Sequence, residues 1–146
     1  MESTGTLSRA VLVHDAAGME LALAAAGEML PAGLTLPLLS APGAARWLSP
    51  HLFLAMVERA RAAAATTPYL PVLDCGTAPG HALAALRAGC PALVLDAACP
   101  AFPVLAGAAA EAGALLWPRA PEALDTAGLR PGDAWAEARL RDWLRG

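Results

Sequence analysis

Carboxylate, thiol, imidazole and guanidinium groups follow the short apolar segments of this sequence. The apolar segments are residues 10–14, 34–39, 70–73, 92–95 and 114–117. The polar groups that end or follow them are His14, Asp15, Ser40, Asp74, Cys75, Thr77, Asp96, Cys99 and Arg119. If the segments are parallel strands, these side chains meet in a crevice at the carboxyl ends of the strands, where open α/β proteins bind ligands. The candidate catalytic residues are Asp15, Asp74, Cys75, His81 and Asp96.

The turn at residues 74–81 (DCGTAPGH) carries the most specific binding signal. Its glycines let backbone N–H groups approach a ligand, and the helix that follows presents its positive N-terminus. A strand, a glycine-rich turn and a helix together predict a site for a small anionic or phosphorylated ligand. The predicted ligand-binding residues are Gly76, Thr77, Gly80, His81 and Arg119. The turn matches neither G-x-G-x-x-G nor the P-loop, so it specifies no nucleotide.

Each of these residues also has a purely structural interpretation. An aspartate at the end of a strand accepts hydrogen bonds from turn or helix N–H groups, and the glycines could serve only a tight turn. Cys75 is a nucleophile if His14 or His81 acts as its base, and otherwise a small buried side chain. Zinc ligands could come from Cys75, His81, Asp96 and Cys99, but their spacing matches no known zinc pattern. We expect no metal and no cofactor.

The composition excludes several classes of function. The 146 residues include no Lys, Asn, Gln or Ile. Without lysine the chain cannot form a Schiff base, bind pyridoxal phosphate covalently or build a P-loop. A net charge of −3 and a pI near 5.5 offer no electrostatic surface for nucleic acid or anionic lipid. We therefore expect neither a nucleic-acid partner nor a membrane.

Cysteine usage and hydropathy predict a cytoplasmic protein. Cys75, Cys90 and Cys99 are an odd number and show no C-x-x-C spacing, which favours reduced thiols. Residues 1–9 are polar and do not resemble a secretory signal. The longest uncharged runs are interrupted by proline and are shorter than a membrane span.

The alternation of short apolar segments with helical patterns predicts an α/β fold. We expect a three-layer, doubly wound sheet of about five parallel strands, with Pro37 placing the second strand at an edge. The predicted helices are residues 19–30, 51–65, 81–88, 102–112 and 133–145, the last capped by Asp133. No linker interrupts the pattern, so residues 1–146 form a single predicted domain with a core at roughly 10–120.

The strand-end residues resemble those of a response-regulator receiver domain, a flavodoxin-like fold. The resemblance rests on Asp15, on Asp74 followed by Pro79 and Gly80, on Asp96, and on Trp117-Pro118-Arg119. It implies acidic residues that hold Mg²⁺ and accept a phosphoryl group. This sequence departs from the family: a single acidic residue follows strand one, Asp96 replaces a hydroxyl residue, and the lysine of strand five is absent. The Asp-to-Pro spacing is also one residue longer. The resemblance therefore implies at most a degenerate relative that is not phosphorylated.

Two classes of function remain open. The first is a domain that binds a small anionic ligand, with catalysis not established. The second is a non-catalytic assembly or regulatory module. The last predicted helix carries Trp135, Ala136, Leu140, Trp143 and Leu144 beside Arg139 and Arg141, a composition typical of interfaces, so we expect a homo-oligomer. The alternative is that this helix packs on its own subunit.

Overall fold

The structure is a computed structural model that describes residues 5–64 and 67–146. Its strands are β1 (Gly5–Thr6), β2 (Ala10–Leu12), β3 (Leu34–Leu39), β4 (Tyr69–Asp74), β5 (Ala92–Val94), β6 (Leu115–Trp117) and β7 (Ala123–Asp125). Its helices are α1 (Ala16–Met29), α2 (Pro50–Ala64), α3 (Pro79–Arg87), α4 (Phe102–Ala112) and α5 (Ala134–Arg145). A 3₁₀ turn spans Ala44–Arg46.

The strands form a mostly parallel sheet that is flanked by helices, which confirms the predicted α/β class. The strand order is β6-β5-β4-β3-β2-β7, and β1 pairs with β3. The sheet has seven strands where five were predicted, because β1 and β7 were not expected. β1 has only two residues, and β7 follows Glu122 and ends in Asp125, so neither shows an apolar pattern; β7 forms through parallel pairing with β2, with Leu12 opposite Asp125. Within the described residues, no helix combines the length and the hydropathy of a bilayer-spanning segment.

The prediction that Pro37 places its strand at an edge is wrong, since β3 lies between β2 and β4. The β1–β3 register pairs Thr6 with Thr35. That pairing ends two residues before Pro37, and residues 7–9 separate β1 from β2. A proline beside such an interruption costs the sheet less than one inside a continuous ladder, because it has no N–H to donate. A flavodoxin-like sheet has its second strand at the edge, so the strand order here differs from that topology.

The chain is divided into two compact units. Unit 1 comprises Met1–Leu38, Met56–Leu70 and Pro121–Gly146, and unit 2 comprises Leu39–Ala55 and Pro71–Ala120. In unit 2, α3 packs on α4 and α4 packs on β6, above a core that includes Leu73, Leu93 and Leu95. The predicted single domain stays a prediction.

In unit 1 the last helix packs on the first. Ala136, Leu140 and Leu144 of α5 are buried, and α5 contacts α1. The Trp143 indole N–H donates to the Ala10 carbonyl at 2.9 Å. Of the five apolar side chains predicted to form an oligomer interface, Trp135 alone is exposed, at 61%, and Arg139 beside it is exposed as well. Helix α5 therefore packs on its own subunit, as the alternative expectation stated.

The first turn of α1 lies against Thr126, the residue after β7. Thr126 donates from both its backbone N–H and its hydroxyl to the Leu12 carbonyl, at 3.0 and 2.9 Å. A Cβ atom on Gly18 would lie 2.7 Å from the Thr126 Oγ1 atom, closer than real contacts allow. The absence of a side chain at Gly18 therefore permits β7 to join the sheet beside β2.

We expect Gly18→Ala to destabilise the protein by about 1–3 kcal/mol, because the added methyl displaces Thr126 from the Leu12 carbonyl. The matched control is Gly107→Ala in α4, where a Cβ meets nothing within 4 Å. There the substitution should stabilise the helix by about 0.5–1 kcal/mol. Urea unfolding measures both changes. Equal changes in the free energy of unfolding would show that the close approach of Gly18 to Thr126 does not affect stability.

Candidate functional site

A pocket of about 350 Å³ lies in unit 2, at the carboxyl ends of β4, β5 and β6. Its lining residues are Pro42, Gly43, Asp74, Gly76, Thr77, Val94, Asp96, Pro118, Arg119 and Ala120. Pockets for drug-sized ligands occupy roughly 300–1,000 Å³. This pocket is therefore suited to a small ligand and not to a dinucleotide.

Asp74 is held at the end of β4 by two hydrogen bonds, one from its backbone and one to its carboxylate. Its backbone N–H donates to the Ser40 hydroxyl at 2.8 Å, and its Oδ1 atom accepts from the Gly76 N–H at 2.8 Å. Ser40 is 1% and Asp74 6% exposed. Because both polar groups are buried and paired, the position of this carboxylate is well determined.

Two glycine loops meet at the floor of the pocket. Gly43 and Gly76 both adopt positive φ angles, +65° and +56°. A Cβ on Gly76 would lie 3.4 Å from the Gly43 Cα atom, so the two backbones are in contact. The Gly76 carbonyl also accepts the Asp96 N–H at 2.8 Å, which joins the turn after β4 to the end of β5. The backbone is thus open to a ligand at Gly43 and Gly76.

Two guanidinium groups supply positive charge here. Arg119 lines the pocket, and Arg46 Nη2 donates to the Thr77 hydroxyl at 3.0 Å. Across residues 5–64 and 67–146, no salt bridge involves either arginine. Arg46 was not among the predicted site residues. Its place in the loop after β3 could have indicated it, because the carboxyl ends of parallel strands, and the loops that follow them, lie at the same edge of the sheet.

The carboxylates of the pocket also accept hydrogen bonds from turn N–H groups, as expected if they serve only the structure. Asp96 Oδ1 accepts the Ala98 N–H at 2.8 Å, as Asp74 Oδ1 accepts the Gly76 N–H. Both residues nevertheless line the pocket. A ligand there meets two carboxylates as well as the guanidinium of Arg119.

Cys75 is fully buried beside the pocket. Burial, together with the charge of Asp74 and the neighbouring Cys90, raises the pKa of the Cys75 thiol from 9.0 to about 12. Its Sγ atom lies 3.7 Å from the Leu73 carbonyl. A protonated, inaccessible thiol favours the packing interpretation of Cys75 over a nucleophilic one.

The remaining predicted site residues lie elsewhere. Gly80 and His81 are exposed in the first turn of α3 and do not line the pocket. Asp15 belongs to unit 1, where it caps α1 by accepting the Gly18 N–H at 2.8 Å. His14 is also in unit 1, hydrogen-bonded to Asp125.

The described residues contain no group of three or more His, Cys, Asp or Glu side chains arranged to hold a metal ion. That result disfavours the zinc alternative. Neither a protein-family model nor a curated protein sequence matches this chain.

We expect Ser40→Ala to cost about 1–3 kcal/mol of stability, because it leaves the buried Asp74 N–H without an acceptor. Ser49→Ala is a matched comparison, since the Ser49 hydroxyl accepts the exposed Leu52 N–H at 3.1 Å. Water can replace that acceptor, so its loss should cost less. Denaturant unfolding compares the two variants, and an equal or smaller cost for Ser40→Ala would contradict the assigned role.

The three thiols should differ in reactivity in the native state. Burial raises the pKa of Cys90 to about 11 and contributes most to that of Cys75, whereas Cys99 is only half buried. At about pH 8, Ellman's reagent should therefore modify Cys99 first and the other two thiols only on unfolding. Mass spectrometry of the labelled peptides identifies the sites. Rapid labelling of native Cys75 would restore the nucleophile interpretation.

As the pH rises from 9.0 towards 12, the raised pKa of Cys75 should progressively lower the free energy of unfolding.

Proposed function

We propose that unit 2 binds a small anionic or phosphorylated ligand in the pocket at the ends of β4, β5 and β6. The observation that carries this proposal is the pair of guanidinium groups, Arg119 in the lining and Arg46 on Thr77, neither of them in a salt bridge within the described residues. Arginine binds carboxylate and phosphate oxygens through two parallel N–H groups.

The backbone around the pocket supports the same ligand class. Gly43 and Gly76 leave room for a ligand to approach main-chain N–H groups. Ala78, the N-cap of α3, supplies no side-chain hydrogen bond to the helix, whose N-terminus is positive. The two carboxylates of the lining favour a ligand that also carries hydroxyl or amino groups, because these can donate to Asp74 and Asp96.

No reaction is assigned to this pocket. A binding domain without an established catalytic role is the function that these residues support best. The cytoplasmic location, a Rossmann-like fold and the homo-oligomer remain proposals that rest on the sequence.

A second candidate is a non-catalytic assembly or regulatory module; its receiver-like form is not proposed, because the strand order differs from the flavodoxin-like one. Two observations favour it. The strand-end carboxylates are already engaged in turns, and several large apolar side chains are exposed, with Trp47 at 69%, Val104 at 74% and Trp135 at 61%. Exposed aromatic side chains are enriched at protein interfaces.

Isothermal titration with inorganic phosphate and with simple sugar phosphates tests the first candidate. We expect saturable binding that Arg119→Gln weakens by about tenfold or more, because a charge-assisted hydrogen bond is lost. Arg87→Gln, at the exposed end of α3, is the matched control and should leave the affinity unchanged.

Asp96→Asn separates the two candidates. If inorganic phosphate occupies the pocket, removal of a nearby negative charge should strengthen its binding. If Asp96 is only a turn residue, the variant changes stability alone, and no phosphate binding by the wild-type protein depends on Arg119. Sedimentation velocity then tests the assembly module, which requires an oligomer at micromolar concentration.

A further inference from the structure

A second pocket, of about 270 Å³, lies in unit 1 between the loops that follow β2 and β7. Its lining includes His14, Asp15, Thr126 and Arg130. Strands β2 to β6 follow one another across the sheet in chain order, whereas β7 lies on the other side of β2. The pocket thus lies at the carboxyl ends of two neighbouring parallel strands, the edge at which open α/β sheets bind ligands.

The imidazole of His14 is oriented by Asp125. His14 Nε2 lies 2.6 Å from Asp125 Oδ1, and the same oxygen accepts the Ala127 N–H at 2.8 Å. Burial alone raises the pKa of Asp125, but the hydrogen bonds from Ala127 and His14 and the charge of His14 outweigh it. The pKa of this carboxyl is consequently below its ordinary value. Asp125 therefore remains ionised when His14 takes up a proton.

The walls of this pocket are held firmly. Thr126 makes two hydrogen bonds to the Leu12 carbonyl, and Gly18 of α1 packs directly on Thr126. Asp15 is engaged with the Gly18 N–H. The described residues include no salt bridge to Arg130, so its guanidinium can pair with a ligand.

We propose that this pocket is a second binding site, in which Arg130 and the protonated imidazole of His14 hold a small oxyanion, a carboxylate or a phosphate. Asp125 is a positioning residue that fixes the ring through Nε2, so that Nδ1 is the nitrogen left to donate to the ligand. The volume admits a single small acid or a phosphate group. The proposal does not depend on the function assigned to unit 2.

Two-dimensional NMR of the histidine rings tests the site with two probes, sodium acetate and inorganic phosphate. We expect saturable shifts of the His14 ring, and the stronger probe identifies the ligand as carboxylate or phosphate. His51, exposed at the start of α2, is the internal control and should not saturate. Parallel, unsaturated shifts of both rings would overturn the proposal without any variant.

Variants separate this site from the pocket of unit 2. Arg130→Gln should weaken the response of His14 by about tenfold, because one charge-assisted contact is removed. Arg119→Gln should leave it unchanged. Arg130 is exposed, so we expect the variant to fold. An unchanged affinity in Arg130→Gln contradicts the proposal.

A pH series gives a second readout. Imidazole side chains ordinarily take up a proton near pH ~6.5. The charged groups that face His14 are Asp15, Asp125 and Arg130, and the pKa of the Asp125 carboxyl is below its ordinary value. Binding should therefore strengthen as the pH falls from about 8 to about 6. In His14→Gln this dependence should disappear, and its persistence there would assign the binding to another group.

Discussion

The hydrogen bond from an aspartate carboxylate to a backbone N–H recurs at the carboxyl ends of four strands. Asp15, Asp74, Asp96 and Asp125 each accept such a bond at 2.8 Å from a residue two or three positions later. A chain that leaves a parallel ladder carries N–H groups with no partner in the sheet. A short side chain with an acceptor oxygen satisfies them locally and directs the chain into the next turn or helix.

Because of the composition, the side chains that accept these hydrogen bonds are charged. Asparagine offers the same acceptor without a charge, but the chain contains none. Negative charge therefore accumulates where strands end, and basic side chains lie beside it. In unit 1 His14 pairs with Asp125, and in unit 2 Arg119 lines the same pocket as Asp74 and Asp96. The residues that terminate the strands thereby line a polar pocket in each unit.

Close approaches between backbones determine how these pockets are built. Gly18 lets the first turn of α1 reach Thr126, and Gly76 brings the turn after β4 onto Gly43. In each case a loop that bears a carboxylate is held against another loop. A rigid wall matters for recognition, because polar groups fixed before binding lose little conformational entropy when the ligand arrives.

Local patterns in the sequence were sufficient for the secondary structure of most of the chain. Residues 34–39 and 102–112 form β3 and α4 with the predicted bounds, and Asp133 caps α5 through the Trp135 N–H. These features depend on hydropathy periods, on capping side chains and on glycine or proline at the ends. Each is encoded within a few neighbouring residues. The candidate residues Asp74, Gly76, Thr77, Asp96 and Arg119 were found in the same way, from their positions after strands.

Tertiary structure decided what those patterns cannot encode. β7 exists because β2 offers it a parallel partner, and α5 packs on α1, although its apolar stripe suited an interface equally well. His14 and Asp125 are 111 residues apart in the chain, and Arg46 reaches Thr77 from a different loop. The amino-acid sequence by itself determined which elements form and which polar groups end them. The pairing of those groups depends on strand order, which is set by long-range packing and hydrogen bonding that no local segment contains.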